Sequence, residues 1–255
     1  MGRAIKSALG QRYVSVEVIV VDDCSSDGTN EYLINTFGSA ITLVRTQHNS
    51  GVAAATNLGY GKCSSDYIAL LGDDDYWQDP KKLIKQVQVM EQNPQVGVTG
   101  TWWVELHDGG ERLEKKPTVP KSRYRLRERV LASGGLICGS TPLIAKRAWR
   151  TAGGMDEQLP RGTDSDLFRR IVIGGFQARV LDDITTVVDI SHGSMRMTYA
   201  GGIQALARHR ESQLRIIHKY AFLWAMYPRA FAFRATLVVK QSLRMLYLIS
   251  RQPWR

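Results

Sequence analysis

Cysteine is scarce in this chain. Its 255 residues include three, Cys24, Cys63 and Cys138, odd in number, scattered and outside any metal-ligand spacing. That pattern excludes a disulfide framework and a cysteine-based zinc site, and it predicts free thiols in a reducing compartment. Long apolar runs are missing as well. No stretch reaches the roughly 18 uninterrupted apolar residues of a spanning helix, and no apolar leader opens the chain. The expected location is therefore cytoplasmic, with any membrane contact peripheral and on the inner face of the cell membrane. Repeats and low-complexity tracts are absent, which leaves an ordinary globular chain of 44% apolar residues. That length buries a full core as one large domain or as one domain with a small appendage. Acidic residues are outnumbered, 24 Asp and Glu against 34 Lys and Arg, for a net charge of +10. An anionic partner follows: nucleotide phosphates, nucleic acid or acidic lipid headgroups.

What is present reads as alternation. A helix tail over residues 4–11 ends at Gly10. Val16 to Val21 is a nearly continuous β-branched run closing in Asp22-Asp23, the pattern of a strand covered on both faces. The turn cluster from Cys24 to Thr29 then caps a helix through Phe37. A second strand follows at Ile41–Val44, and a small-residue helix runs from Asn49-Ser50-Gly51 to about Gly61. Tyr67 to Leu71 is a third strand, and a helix from Pro80 to Gln92 closes at Asn93-Pro94. Strand and helix in turn at this spacing predict a doubly wound α/β domain. Ligands in such sheets bind outside the carboxyl ends of the strands, and two of the three strands end there in acidic residues. Later segments are less regular. Residues 96–106 form a long strand or hairpin arm, and 108–123 a basic, Pro-containing loop. Further strands are expected at 137–144, 176–181 and 185–190.

The densest chemistry is Gly72-Asp73-Asp74-Asp75. Three adjacent anions repel each other unless a cation sits among them, and aspartate is a poor strand residue. An oxygen-preferring divalent ion, Mg²⁺ or Mn²⁺, accounts for them at the end of a strand. The alternative is a solvated loop in which Asp79 or a neighbour caps the helix that Pro80 opens.

Residues 203–220 and 229–250 read as basic amphipathic helices, with Arg229, Arg234, Lys240 and Arg244 among Phe231, Phe233, Leu237, Leu243 and Leu246. Such a pair packs back on the domain, forms a homodimer contact, or lies on an anionic membrane surface. Nucleic acid has the least support, because no stacking surface of aromatic and basic residues is identifiable.

Five segments together resemble a known family. Val20-Val21-Asp22-Asp23-Cys24-Ser25-Ser26-Asp27-Gly28-Thr29 resembles the V-V-D-D-x-S-x-D-G-T segment of family 2 glycosyltransferases with the GT-A fold. Asn49-x-Gly51 through Asn57-x-Gly59 is similar to their N-x-G-x-x-x-A-x-N-x-G segment, and Tyr67–Trp77 to the strand bearing their D-x-D metal motif. Gly153 to Glu157 is similar to G-G-F-D-E, and Asp164-Ser165-Asp166-Leu167-Phe168-x-Arg170 to E-D-x-D-L-W-x-R. The resemblance implies a GT-A domain over residues 1–200, a mixed and mostly parallel sheet flanked by helices. Its nucleotide-sugar part would span about 1–106 and its acceptor part about 107–200, with 201–255 as a helical extension. It implies inverting transfer of a hexosyl or N-acetylhexosaminyl group from a nucleoside-diphosphate sugar, UDP being the commoner carrier. The acceptor would be a hydroxyl on a glycan or a lipid-linked glycan, as in surface polysaccharide synthesis.

Residue by residue, Asp22 or Asp23 would meet the nucleoside, with Asn49 and Asn57 beside the donor. Asp74, helped by Asp73, would hold Mn²⁺ or Mg²⁺, Asp73 alternatively serving the ribose. Asp164 would be the general base; its alternative is a helix cap, with Asp166 in the first turn. His192 stands where some members place a histidine near the metal, although a His in a Ser-His-Gly-Ser turn is more often a plain loop residue. Asp166, Arg170 and Trp102 would support the acceptor side. Arg170 also suits a structural carboxylate partner, and Trp102 with Trp103 suits the core or a sheet face.

Four departures stand against the pattern. Thr163 replaces a Glu, Thr56 replaces an Arg, and Gly72 replaces the first Asp of the commoner D-x-D. Members also begin with an apolar strand ahead of the helix that Arg3-Ala4-Ile5 resembles. In a 3-2-1-4 order that strand would be central, so a truncated or misassigned start is expected, with two neighbouring strands left unpaired. The competing expectation is a GT-A-fold protein that binds nucleotide sugars or regulates without transferring them.

Overall fold

The structure is a computed structural model describing residues 1–133, 136–191 and 202–250. In chain order it runs α1 (Gly2–Leu9), β1 (Ile19–Asp22), α2 (Thr29–Phe37), β2 (Thr42–Arg45), α3 (Val52–Lys62), β3 (Tyr67–Ala69), β4 (Tyr76–Trp77) and α4 (Lys82–Gln92). Then follow β5 (Val96–Leu106), β6 (Arg112–Lys115), α5 (Arg123–Ala132), β7 (Leu143–Ala145), α6 (Lys146–Ala152), α7 (Thr163–Ile173), β8 (Gln177–Asp189), α8 (Ile203–Lys219) and α9 (Pro228–Ser250).

The expected helices are present, including both C-terminal ones, while α5 is not among those expected and β6 interrupts the loop expected over 108–123. The sheet is mixed, as expected, but its parallel share is smaller. Only the β1–β2 and β5–β8 ladders are parallel, while β3–β7, β4–β8, β5–β6 and β5–β7 are antiparallel. The reason is β7, a short strand from the second half that enters between β3 and β5. Residues 137–141 do not extend it. Gly139 and Ser140 sit in turns instead, with Thr141 donating its backbone N–H to the Cys138 carbonyl at 3.0 Å. The two strands expected at 176–181 and 185–190 are one, β8, whose register against β5 shifts around Trp102.

β1 pairs only with β2, in a two-stranded sheet, and β3 pairs with β7 in the larger one. No ladder joins β1 to β3 among the described residues. The valines ahead of β1, Val14, Val16 and Val18, instead pack side-on against the core.

That core lies between the larger sheet and its helices, around Trp77, Ile144, Trp149, Leu167 and Ile171. Burying an aliphatic or aromatic side chain of this size contributes about 1.5–3 kcal/mol. A second cluster joins Leu131 of α5 and Leu159 to Ile216, Tyr220, Trp224 and Ala230. Ile216 of α8 and Ala230 of α9 thus pack this helical pair against the domain, where it forms a wall of the molecule.

Candidate active site

The acidic loop is built by division of labour among its three carboxylates. Asp75 is 5% exposed. It accepts hydrogen bonds from the Ser140 hydroxyl and, at 3.0 Å, from the Asp189 backbone N–H. Ser140 in turn accepts from the Gly72 N–H at 3.0 Å, and its carbonyl accepts from Trp77 Nε1 at 2.9 Å. One serine and one buried aspartate thus lock the loop to the start of the second half and to the end of β8. Arg3 completes the frame. It bonds the Asp74 carbonyl at 3.3 Å and Asp189 at 2.9 Å, and its guanidinium lies 4.1 Å from the centre of the Tyr76 ring.

With Asp75 committed, Asp73 is exposed and Asp74 half-buried. Asp74 and Asp75 line a cavity of about 680 Å³. Gly72 fits closely where the family pattern has an acid. A Cβ there would stand 3.1 Å from both Asp74 Oδ1 and Asp75 Oδ2, closer than nearly all real contacts. One or two hard carboxylate oxygens beside open space suit Mg²⁺ or Mn²⁺, which take their other ligands from water and substrate phosphates. Among the described residues no three His, Cys, Asp or Glu side chains converge on one point. His192 lies outside the described residues.

Asp164 opens α7 and lines the same cavity. The Ser165 backbone N–H holds its Oδ1 at 2.7 Å. Gly139 lets the chain pass over the other oxygen, since a Cβ at that position would stand 3.0 Å from Asp164 Oδ2. Burial pushes the Asp164 carboxyl above the ordinary carboxylate range, against the opposing hydrogen bonds of Ser165. The segment 139–140 therefore touches both ends of the site, Gly139 the Asp164 carboxylate and Ser140 the acidic loop.

Other expected site residues are placed differently. Asp22 is 2% exposed and closes its own turn, taking the Ser25 N–H at 2.9 Å and Asn30 Nδ2 at 3.4 Å. Asp23 gathers Thr46 Oγ1 at 2.8 Å, the Ser50 N–H at 3.0 Å and the Gly51 N–H at 2.7 Å. Burial opposes its charge, but these donors win and draw the carboxyl down to about 2. It pins the loop ahead of α3, while Asn49 on that loop is exposed. Asn57 is a clasp. Its Nδ2 donates to the Met155 carbonyl at 3.0 Å and to Glu157 at 2.7 Å, and its Oδ1 accepts the Met155 N–H at 2.8 Å. Both amide hydrogens are used in this way, and the carbonyl oxygen keeps one lone pair.

Asp166 and Arg170 also serve the frame. Asp166, 0% exposed, binds Arg169 at 3.0 Å, Arg170 at 2.8 Å, Lys219 at 2.9 Å and the Tyr220 hydroxyl at 3.0 Å. Trp102 turns to the β6 side, donating to the Pro117 carbonyl at 3.2 Å; its neighbour Trp103 lines the cavity. Alternation along β5 separates the two.

The sequence model described as Glycosyl transferase family 2 matches residues 1–150. The chain belongs to that family. Its relative WcaA of Escherichia coli (strain K12), named as a glycosyl transferase of colanic acid biosynthesis, is 27% identical over 226 residues, 86% of this chain and 79% of that one. Among solved structures, S. aureus TarS 1-349 in complex with UDP superposes with a TM-score of 0.59 at 14% identity, covering 91% of this chain and 70% of that one. The mannosyltransferase PcManGT from Pyrobaculum calidifontis, in complex with GDP-Man and Mn²⁺, gives 0.57 at 18% identity, covering 95% and 71%. At these identities the likeness is one of fold, and the fold of this glycosyltransferase is GT-A.

Sequence reasoning missed Asp75, Ser140 and Asp189 as a structural set. The triplet hid Asp75, because three equal carboxylates carry no sign of which one is buried. It also missed Arg161 and His209, which line the cavity from segments without a motif.

Proposed function

We propose that this glycosyltransferase moves a sugar, with inversion, from a nucleoside-diphosphate sugar to a hydroxyl of a glycan or lipid-linked acceptor in surface polysaccharide synthesis, using Mn²⁺ or Mg²⁺. One observation carries the reading: Asp74 and Asp164 face one cavity, tied through adjacent residues of one segment. A divalent ion at Asp73 and Asp74 would neutralise charge on the departing diphosphate. Asp164 takes the acceptor's proton as the hydroxyl attacks the anomeric carbon. A raised pKa suits it to that task, because a base works best when its pKa approaches the operating pH. Single displacement needs base and leaving group on opposite faces of the sugar, which a cavity with Asp74 and Asp164 on separate elements permits. The TarS complex with UDP and the PcManGT complex with GDP-Man and Mn²⁺ support this class of donor and ion. The WcaA name supports the pathway class.

The test is calorimetric titration of UDP and GDP, with and without Mn²⁺, into the full chain and into Asp74→Ala. Metal-dependent binding of one nucleotide, weakened at least tenfold by Asp74→Ala, is expected. Binding that ignores both metal and Asp74 would overturn the assignment of this loop.

A further inference from the structure

The cavity that holds Asp164 has a second wall for which sugar transfer alone gives no reason. Its carboxylates, Asp74, Asp75, Glu105 and Asp164, come from the sheet and α7. The basic groups come from elsewhere: Arg161 from the loop ahead of α7, His209 from α8 and Arg234 from α9. Arg169 also lines it, but it is neutralised by Asp166 at 3.0 Å. Arg234, 2% exposed, spends its donors on the Leu131 carbonyl and Gln213 Oε1. Arg161 and His209 have no carboxylate partner among the described residues. The Arg161 backbone N–H is instead pinned to Ser212 Oγ of α8 at 3.1 Å, which keeps the side chain at the rim.

The charged arginines lie close enough to disfavour further positive charge on this wall, so His209 is held as a neutral imidazole unless an anion joins it. Burial first, then the charge of Arg208, lowers the pKa of Arg161. Burial, then Arg161 and Arg234, lowers that of His209. Like charges gathered in a part-buried cleft repel each other and cost stability, and an incoming anion relieves that cost. Trp103, Ile216 and Phe233 add apolar surface to the same cavity, of a kind that packs on the C–H face of a sugar ring. A volume of about 680 Å³ lies within the range of roughly 300–1,000 Å³ usual for ligand sites.

We propose that Arg161 and His209 bind an oxyanion carried by the acceptor, the carboxylate of an acidic sugar or a phosphate ester, and so place a neutral hydroxyl of the same molecule beside Asp164. The inference rests on the reading of this cavity as the acceptor site, and it makes α8 and α9 determinants of acceptor choice.

The experiment titrates glucuronate, glucose 1-phosphate and glucose into the full chain without added metal, followed by calorimetry and by the imidazole resonances of ¹⁵N-histidine-labelled protein. Wild type should bind one or both anions at least tenfold more tightly than glucose, and the His209 resonance, assigned with His209→Gln, should move on titration. Arg161→Gln should remove most of that preference and Arg161→Lys should keep part of it. Glucuronate and glucose 1-phosphate separate a carboxylate acceptor from a phosphorylated one. Equal binding of glucose, an unmoved His209 resonance, or an anion preference that survives Arg161→Gln would each overturn the proposal. The His209 readout is taken on the wild-type chain, with His209→Gln needed only to assign the resonance. UDP and Mn²⁺ titrated into the same wild-type protein test the donor reading separately: anion binding without UDP binding sinks that reading and leaves this one standing.

Discussion

Asp164 is costly where it stands. Its carboxyl is pushed up by burial, so its charged form is less stable in the folded chain than in the unfolded one. The sign follows directly. Below the unfolded value of 3.8 the group is protonated in both states and costs nothing. As pH rises through the higher folded value, the folded state carries a penalty that the unfolded state does not. Asp164→Asn should therefore raise the melting temperature at neutral pH while lowering donor turnover about 10²- to 10⁴-fold, the usual worth of a general base. Scanning calorimetry and a turnover assay on one preparation check both. A variant that keeps full turnover would return Asp164 to the role of helix cap. The motif singled out this residue, but Gly139 against Oδ2 and the burial behind the raised pKa were not legible. They come from a segment 25 residues upstream, at no fixed offset.

α7 and α8 are joined through a single carboxylate. Asp166 binds two arginines of its own helix and, across more than 50 residues of sequence, Lys219 and Tyr220 at the end of α8. Burial works against its charge, yet Arg169, Lys219 and Arg170 hold the carboxyl below its usual range. Its stabilising contribution is present above 3.8 and is lost as pH falls through the lower folded value. Asp166→Asn leaves Arg169 and Arg170 without their carboxylate, while Lys219 keeps Asp156 at 2.7 Å. A loss of about 3–5 kcal/mol is expected, in the range for breaking a buried ion pair, read as a shift in denaturant midpoint at pH 7. The shift should shrink on acidification; an unchanged midpoint at pH 7 would show that water replaces the carboxylate. In sequence Asp166 is a helix first-turn acid, and nothing local points to α8.

At the scale of the molecule, α9 carries two different faces. Ala230, Arg234 and Gln241 are buried, whereas Phe231, Val239, Leu243, Leu246 and Tyr247 are exposed beside Lys240 and Arg244. No helix among the described residues is long and apolar enough to cross a membrane. On a chain of net charge +10, such a face suits the surface of an anionic bilayer. The full chain is expected to sediment with vesicles containing anionic phospholipid and not with zwitterionic ones, less so at high salt. Leu243→Asp with Leu246→Asp should abolish the effect. Sedimentation that does not depend on lipid charge would rule out this surface, and a concentration-dependent dimer dispersed by the same substitutions would assign it to a second copy.

Periodicity and turn chemistry by themselves determined the strand–helix alternation of the first half, the acidic strand ends and the two C-terminal helices, and family resemblance singled out Asp164. These depend on contacts a few residues apart, and the chain repeats them at fixed spacings. Only the tertiary structure decided that most ladders are antiparallel and that Asn57, Asp23 and Asp166 hold the frame. It alone decided that Asp75 is the buried member of the triplet and that α8 and α9 bring His209 and Arg234 to the cavity lined by Asp74 and Asp164. Those assignments depend on partners such as Ser140 and Asp189, 65 and 114 residues from Asp75. Local pattern carries no term for that separation, because which distant group meets a carboxylate is settled by packing.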